Sequence, residues 1–297
     1  IFLHIIQIIK GTRILIMRYS VITPIKNEES YIDLTIESVL SQKILPHKWV
    51  IIDDSSTDNT RSIISQYLPD NEFIELISAP EINIVEISAR IAKLLNIGYE
   101  SLRDKPALLL KLDADVFLPQ EYSEFFVSEF SNNPTLGIAS GCVDYKGTKE
   151  KNHDNSLTRG AAKFYRKNCF EEIGQAYLSR GWDTIDNYAA QSLGWETKKY
   201  DIYFKHNKEE GEKSGLIMLR YWTGLYNGRV PYYLPYFIFK IIYYTFSRPV
   251  ILGSLLELIG YFKARFFDRK KPFPGHVSKY IIKIQKQKII RRFRRNN

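Results

Sequence analysis

Two periods of apolar residues alternate along the first 112 positions. Short runs at Tyr19–Thr23, Val50–Ile52, Phe73–Ile77 and Ala107–Leu112 have the length and composition of strands. Between them apolar residues return every three or four positions: Ile32, Ile36, Val39 and Leu40, then Ile63, Ile64 and Tyr67, then Ile87, Ile91, Leu94 and Leu95 with Gly98. Each set predicts one amphipathic helix. Ala107–Leu112 is apolar throughout except for Lys111, the pattern of a strand covered on both faces. This βαβαβαβ rhythm predicts an α/β fold, a mostly parallel sheet flanked by helices, with ligands at the carboxyl ends of its strands.

The pattern changes near Pro231. Val230–Ser247 and Pro249–Phe262 are apolar and aromatic, but Pro235, Lys240, Arg248, Pro249 and Glu257 interrupt them. Neither offers the about 20 clean apolar residues that cross a bilayer. They predict helices lying in a membrane interface with tyrosines at head-group depth; the alternative is a helical pair packed on the α/β body. Three regions are expected: an extension over 1–16, an α/β domain over 17–229, and aromatic helices with a basic tail over 230–297.

Charge sharpens this division. From Tyr261 onward there are thirteen Lys/Arg and one acid, Asp268, whereas the preceding residues hold 29 basic and 32 acidic side chains. A cationic tail behind an acidic body suits anionic lipid head groups, and a location on the cytoplasmic face of a membrane is expected. Residues 1–16 lack a basic start and a small-residue cleavage site, so no signal peptide is assigned, and Met17 is expected to be the native start. Cys142 and Cys169 form neither a disulfide framework nor a zinc spacing.

Candidate chemistry sits where the strand runs end. Asp113-Ala114-Asp115 follows the fourth run, and two carboxylates two residues apart can hold a hard divalent cation whose shell is completed by water and phosphate oxygens. Such a cation offsets charge building on a departing diphosphate. Asp53-Asp54 ends the second run; Asp54 can accept from a base or ribose, or the pair can cap the next helix, a task open equally to Ser55 or Ser56. In Gly181-Trp182-Asp183-Thr184-Ile185-Asp186, a carboxylate near an acceptor hydroxyl could take its proton; otherwise Asp183 or Asp186 caps a helix. His206 could reach a metal or diphosphate, or be structural. Absence of a Gly-x-Gly-x-x-Gly turn and of a Walker loop removes the main support for dinucleotide oxidoreductases and P-loop enzymes.

Taken in order, several segments resemble the GT-A fold glycosyltransferases of family 2. They are Ser20-Val21-Ile22-Thr23-Pro24-Ile25-Lys26-Asn27-Glu28-Glu29, Ser38-Val39-Leu40-Ser41-Gln42, and Ile51-Ile52-Asp53-Asp54-Ser55-Ser56-Thr57-Asp58. Asp113-Ala114-Asp115 matches the family's metal motif, and Arg159-Gly160-Ala161 through Arg166 with Phe170–Gly174 matches its acceptor side. The resemblance spans roughly residues 18–207. It implies a donor side that includes Pro24, Lys26, Glu28 and Asp54, with Pro24 and Asp54 at the base and ribose. It further implies Asp113 facing the ribose or donor sugar, Asp115 holding the metal, and Asp183 as base. The spacing from Asp183 to Gly194-Trp195 agrees with the family's. Lys26 replaces a frequent aromatic residue, which leaves the nucleotide open, and Trp-Asp-Thr-Ile-Asp replaces the commoner Glu-Asp-x-Asp, which leaves Asp186 as an alternative base.

The implied activity is transfer of a sugar from a nucleotide-sugar, with inversion and with Mg2+ or Mn2+, to a glycan or lipid-linked acceptor at an anionic membrane surface. Three alternatives compete. One is an inactive binding protein of the same fold, another a nucleotidyltransferase that releases pyrophosphate. The third is a nucleic-acid binder through the tail; it has no reading motif and is opposed by the acidic body, so no specific nucleic acid is expected.

Overall fold

The computed structural model describes residues 4–9, 12–151, 154–207, 215–230, 233–244, 251–267 and 273–294. The chain divides into two compact units, residues 1–208 and 209–297. The composition break at position 230 lies inside the second of these.

The first unit opens with an antiparallel ribbon of β1 (His4–Ile9) and β2 (Thr12–Met17), with His4 in register with Met17. The predicted alternation follows: β3 (Tyr19–Ile25), α1 (Ile32–Leu40), β4 (Lys48–Asp53), α2 (Thr60–Tyr67), β5 (Ile74–Ser78), α3 (Ile87–Ser101) and β6 (Leu108–Leu112). These four strands pair in parallel in the order β5-β4-β3-β6. Gly98 lets α3 lie against the sheet, since a Cβ there would fall 2.5 and 2.7 Å from Ile52 and Ile22.

Beyond β6 the sheet becomes mixed. The elements are β7 (Val116–Phe117), α4 (Tyr122–Asn132), β8 (Leu136–Tyr145), β9 (Thr148–Lys149), β10 (Ala162–Arg166), α5 (Lys167–Glu172), α6 (Trp182–Ser192) and β11 (Glu196–His206). β10 inserts antiparallel between β6 and β8, β11 runs parallel to β8, and β7 closes the edge antiparallel to β11. Alternation along these strands separates two faces. One carries Leu108, Leu110, Leu112 and Phe164 into an apolar core with Tyr19, Tyr122, Phe126 and Phe130, where Phe126 and Phe164 stack with centroids 5.2 Å apart. Burying each of these side chains contributes about 1.5–3 kcal/mol.

The other face is polar at one level. Lys111 on β6 is in register with Lys163 on β10, Lys163 with Ser140 on β8, and Ser140 with Lys199 on β11. All four residues are buried, so each ammonium requires a partner.

The second unit contains α7 (Gly215–Arg229), α8 (Leu234–Tyr244), α9 (Leu252–Phe267) and α10 (Gly275–Arg294). α7 and α9 touch backbone to backbone: a Cβ on Gly224 would lie 2.1 Å from the Glu257 carbonyl, and one on Gly260 would lie 2.4 Å from that of Tyr221. Beside this contact the buried Glu257 carboxylate accepts from Asn227 at 2.8 Å and Lys240 at 2.9 Å. No described helix is long and apolar enough to cross a membrane.

Candidate active site

The site is assembled at the carboxyl ends of β3, β4 and β6, where sequence reasoning looked for it. Pro24 is in register with Ile52, so the loops after β3 and β4 leave the sheet side by side. They are stitched together. The Asn27 amide donates to Ser56 Oγ at 3.0 Å, the Thr57 amide to Asn27 Oδ1 at 2.8 Å, and the Glu28 amide to Thr60 Oγ1 at 2.8 Å. Asn27 and Ser55 take left-handed backbone conformations, φ 54° and 59°, to make these turns.

Asp54 does not cap α2, whose N-cap residue is Asn59. Its carboxylate accepts both Nε and Nη2 of Arg90 at 2.5 Å, and the exposed Lys26 ammonium stands 3.6 Å away. Arg90 in turn donates to the Ile82 carbonyl at 2.6 Å. Sequence reasoning missed Arg90; the available signal was one cation in the first turn of the helix after β5. Asp53 accepts from the Ser56 amide at 3.1 Å and from Arg61 at 2.8 Å.

Asp113 and Asp115 follow β6. β11 returns beside β7 with His206 in register with Val116, and this places His206 Nε2 3.3 Å from Asp115 Oδ1. One ligand atom from each of Asp113, Asp115 and His206 lies within 4.8 Å of the other two. Two carboxylates and an imidazole so disposed are a donor set that fits Mg2+ or Mn2+. Burial pulls the His206 pKa down, but the bond to and charge of Asp115, with the charge of Asp113, more than offset this and leave it raised. Burial also pushes the Asp113 carboxyl up, against the pull of Lys111. The Lys111 ammonium lies 2.5 Å from Asp113 Oδ1 and donates to the Gly160 carbonyl at 2.9 Å.

The two acids of α6 have different surroundings. The helix begins after Gly181 (φ 70°) with no side-chain cap, so neither acid serves as one. Asp186 is buried and fully occupied, by Lys163 at 3.1 Å on both oxygens, the Tyr165 hydroxyl at 2.5 Å and Asn187 at 2.9 Å. Burial pushes its pKa up to about 6, with Lys163 and Tyr165 acting in the opposite sense. Asp183, half-buried in the first turn, makes no side-chain hydrogen bond among the described residues. A Cβ on Gly160 would fall 2.5 Å from its Oδ2, so the carboxylate packs directly on that glycine.

A half-parallel, half-mixed sheet with a metal-capable Asp-x-Asp beyond its central strand and a carboxylate-bearing helix on the polar face is the architecture of the GT-A glycosyltransferases. Residues 20–190 match the model of glycosyl transferase family 2, and the chain belongs to that family. It is similar to the poly-beta-1,6-N-acetyl-D-glucosamine synthase of Staphylococcus epidermidis, 28% identical over 115 residues, which covers 39% of this chain and 26% of the synthase. The chain thus spans about a quarter of that relative's length. Among solved structures it shares its fold with a mannosyltransferase of Pyrobaculum calidifontis bound to GDP-Man and Mn2+, at TM-score 0.56 and 19% identity over 70% of this chain and 61% of the other. Residues 1–349 of TarS from S. aureus with UDP-GlcNAc give 0.55 and 18%, over 70% and 65%.

Proposed function

We propose that the chain transfers a sugar from a nucleoside diphosphate donor to a glycan or lipid-linked hydroxyl, inverting the anomeric carbon. One observation carries this reading: the Asp183 carboxylate makes no hydrogen bond among the described residues, while those of Asp54, Asp113 and Asp186 are each held by a cation. The loops after β3 and β4, with Pro24, Lys26, Glu28 and Asp54, bound the nucleotide side, and Arg90 orients Asp54 there. Asp115, Asp113 and His206 would hold a Mg2+ or Mn2+, which when bound offsets charge on the leaving diphosphate. Asp183 takes the acceptor proton as the hydroxyl oxygen bonds to the anomeric carbon and the bond from that carbon to the diphosphate breaks. Asp186 fixes the helix that presents Asp183.

The second unit supports action at an anionic membrane surface. Leu252, Leu255, Ile259, Phe262 and Phe266 are exposed at helical spacing along α9, and Lys279, Lys283 and Lys286 are exposed on α10.

Calorimetry with UDP, GDP, CDP and TDP, each with and without Mn2+, on the wild type and on Asp115→Asn tests the reading. One nucleotide binding tightly, needing the metal and failing in the variant, is the expected result. Binding that ignores both the metal and Asp115, or no binding, overturns the metal-assisted mechanism.

A further inference from the structure

The level row of buried lysines places a fixed cation inside the candidate metal site. Lys163 neutralises Asp186, Lys199 binds Glu150, and Lys111 binds Asp113. The first two partners lie outside the set of metal-capable ligands, whereas Asp113 belongs to it. The Lys111 side chain is 4% exposed and is bound at two points, to Asp113 Oδ1 at 2.5 Å and to the Gly160 carbonyl at 2.9 Å, with the Trp182 ring centroid 5.8 Å from its nitrogen. It has little freedom to withdraw. One oxygen of Asp113 is thereby engaged, and a cation approaching Asp113, Asp115 and His206 meets one net negative charge in place of two. Hard-cation affinity follows ligand charge and the number of oxygens on offer.

We propose that Lys111 is a positioning residue of the donor site that makes divalent-cation binding depend on a bound nucleoside diphosphate. The diphosphate supplies the negative charge that Lys111 cancels, and its oxygens replace the one that Lys111 engages. Asp113, Asp115 and His206 would hold the cation only while the diphosphate is present. The same ammonium, through Gly160, ties Asp113 to the backbone on which Asp183 packs, so the donor side and the base share one anchor. The inference rests on the reading of Asp113, Asp115 and His206 as the metal site.

The test is calorimetric titration of MnCl2 into the full chain at pH 8, alone and with saturating UDP, GDP, CDP or TDP. It compares wild type, Lys111→Met and Lys111→Arg. The wild type and Lys111→Arg are expected to bind Mn2+ measurably only with a nucleotide present. Lys111→Met is expected to bind Mn2+ alone more tightly than wild type by about tenfold or more, since an adjacent unit charge is removed. Lys111→Gln, neutral and still able to donate to the Gly160 carbonyl, gives the same contrast if circular dichroism shows the Met variant unfolded. Equal Mn2+ affinity of the wild type with and without nucleotide, or no gain in the neutral variants, overturns the role of Lys111 and leaves the metal site standing. Failure of every nucleotide to bring Mn2+ onto the wild type overturns the metal site and this inference together.

Discussion

Gly160→Ala tests the placement of Asp183 in a chain that should still fold. The added Cβ would lie 2.5 Å from Asp183 Oδ2, 2.9 Å from its Cβ and 3.1 Å from its Cγ. Ordinary van der Waals separation is about 3.5 Å, so the carboxylate has to move by about 1 Å. The Gly160 φ lies outside the left-handed region, and its carbonyl still accepts from Lys111. At such a position alanine restricts the unfolded chain, a gain of about 0.4–1 kcal/mol that offsets part of the local crowding. The Asp183 Cβ at 2.9 Å cannot be cleared by turning the carboxylate alone, so net stability should fall by about 1–3 kcal/mol. A reacting group displaced by about 1 Å can lose a hundredfold in rate.

The variant should therefore melt a few degrees below wild type yet stay folded at the assay temperature, bind the same nucleotide with Mn2+ at similar affinity, and transfer sugar about a hundredfold more slowly. Initial rates at saturating donor, a thermal melt and the nucleotide titration together make the assay. Transfer within about threefold of wild type would refute the argument, because it would mean that Asp183 needs no fixed position against Gly160.

Three other outcomes follow from the same contacts. Asp183→Asn should abolish transfer while donor binding and the melt persist, whereas Asp186→Asn should cost stability, about 3–5 kcal/mol, by leaving Lys163 buried against a neutral group; equilibrium denaturation and the transfer assay read the two apart. Glu150, held by Arg159 and Lys199 against the upward push of burial, has its pKa lowered from 4.5 to about 2. Its contribution is therefore complete above pH 4.5 and lost as pH falls towards about 2; Glu150→Gln should cost about 2 kcal/mol at pH 7, allowing for the half-exposed Arg159, and progressively less in denaturant titrations at lower pH. In the second unit Gly224→Ala would press a Cβ 2.1 Å from the Glu257 carbonyl and should destabilise that unit by about 1–3 kcal/mol in urea unfolding.

The N-terminal half of the sheet was legible because each of its segments satisfies one period without conflict. Val50–Ile52 and Ala107–Leu112 are runs only a doubly covered strand would tolerate, and β4 and β6 are buried along most of their length. The C-terminal half was not. β10 reads Ala-Lys-Phe-Tyr-Arg, an alternation that suits an edge strand with a wet face, yet it lies between β6 and β8 with Lys163 fully buried. β8 and β11 are joined through a register shift between Lys199 and Tyr203, with Gly141 admitting the Ile202 carbonyl to 2.3 Å of its missing Cβ. Neither long-range pairing leaves a local period to read.

The chemistry-bearing acids were visible as types and spacings, but their division of labour depends on cations whose meaning is set by register. Lys111 stood out only as the flaw in an apolar run, and the sequence offered no reading of Lys163 or Lys199. Once β6, β10, β8 and β11 are aligned, the three ammonium groups fall in one row and match Asp113, Asp186 and Glu150. Gathering this many carboxylates on one buried face would otherwise be opposed by their mutual repulsion and desolvation. With three of them neutralised from beneath, Asp183 is the acid of α6 whose side chain makes no hydrogen bond among the described residues. That is why the base is Asp183 and not Asp186 in the mechanism proposed, although the sequence left both open: the choice was made by Lys163 and Tyr165, which lie 23 and 21 positions before Asp186 on β10.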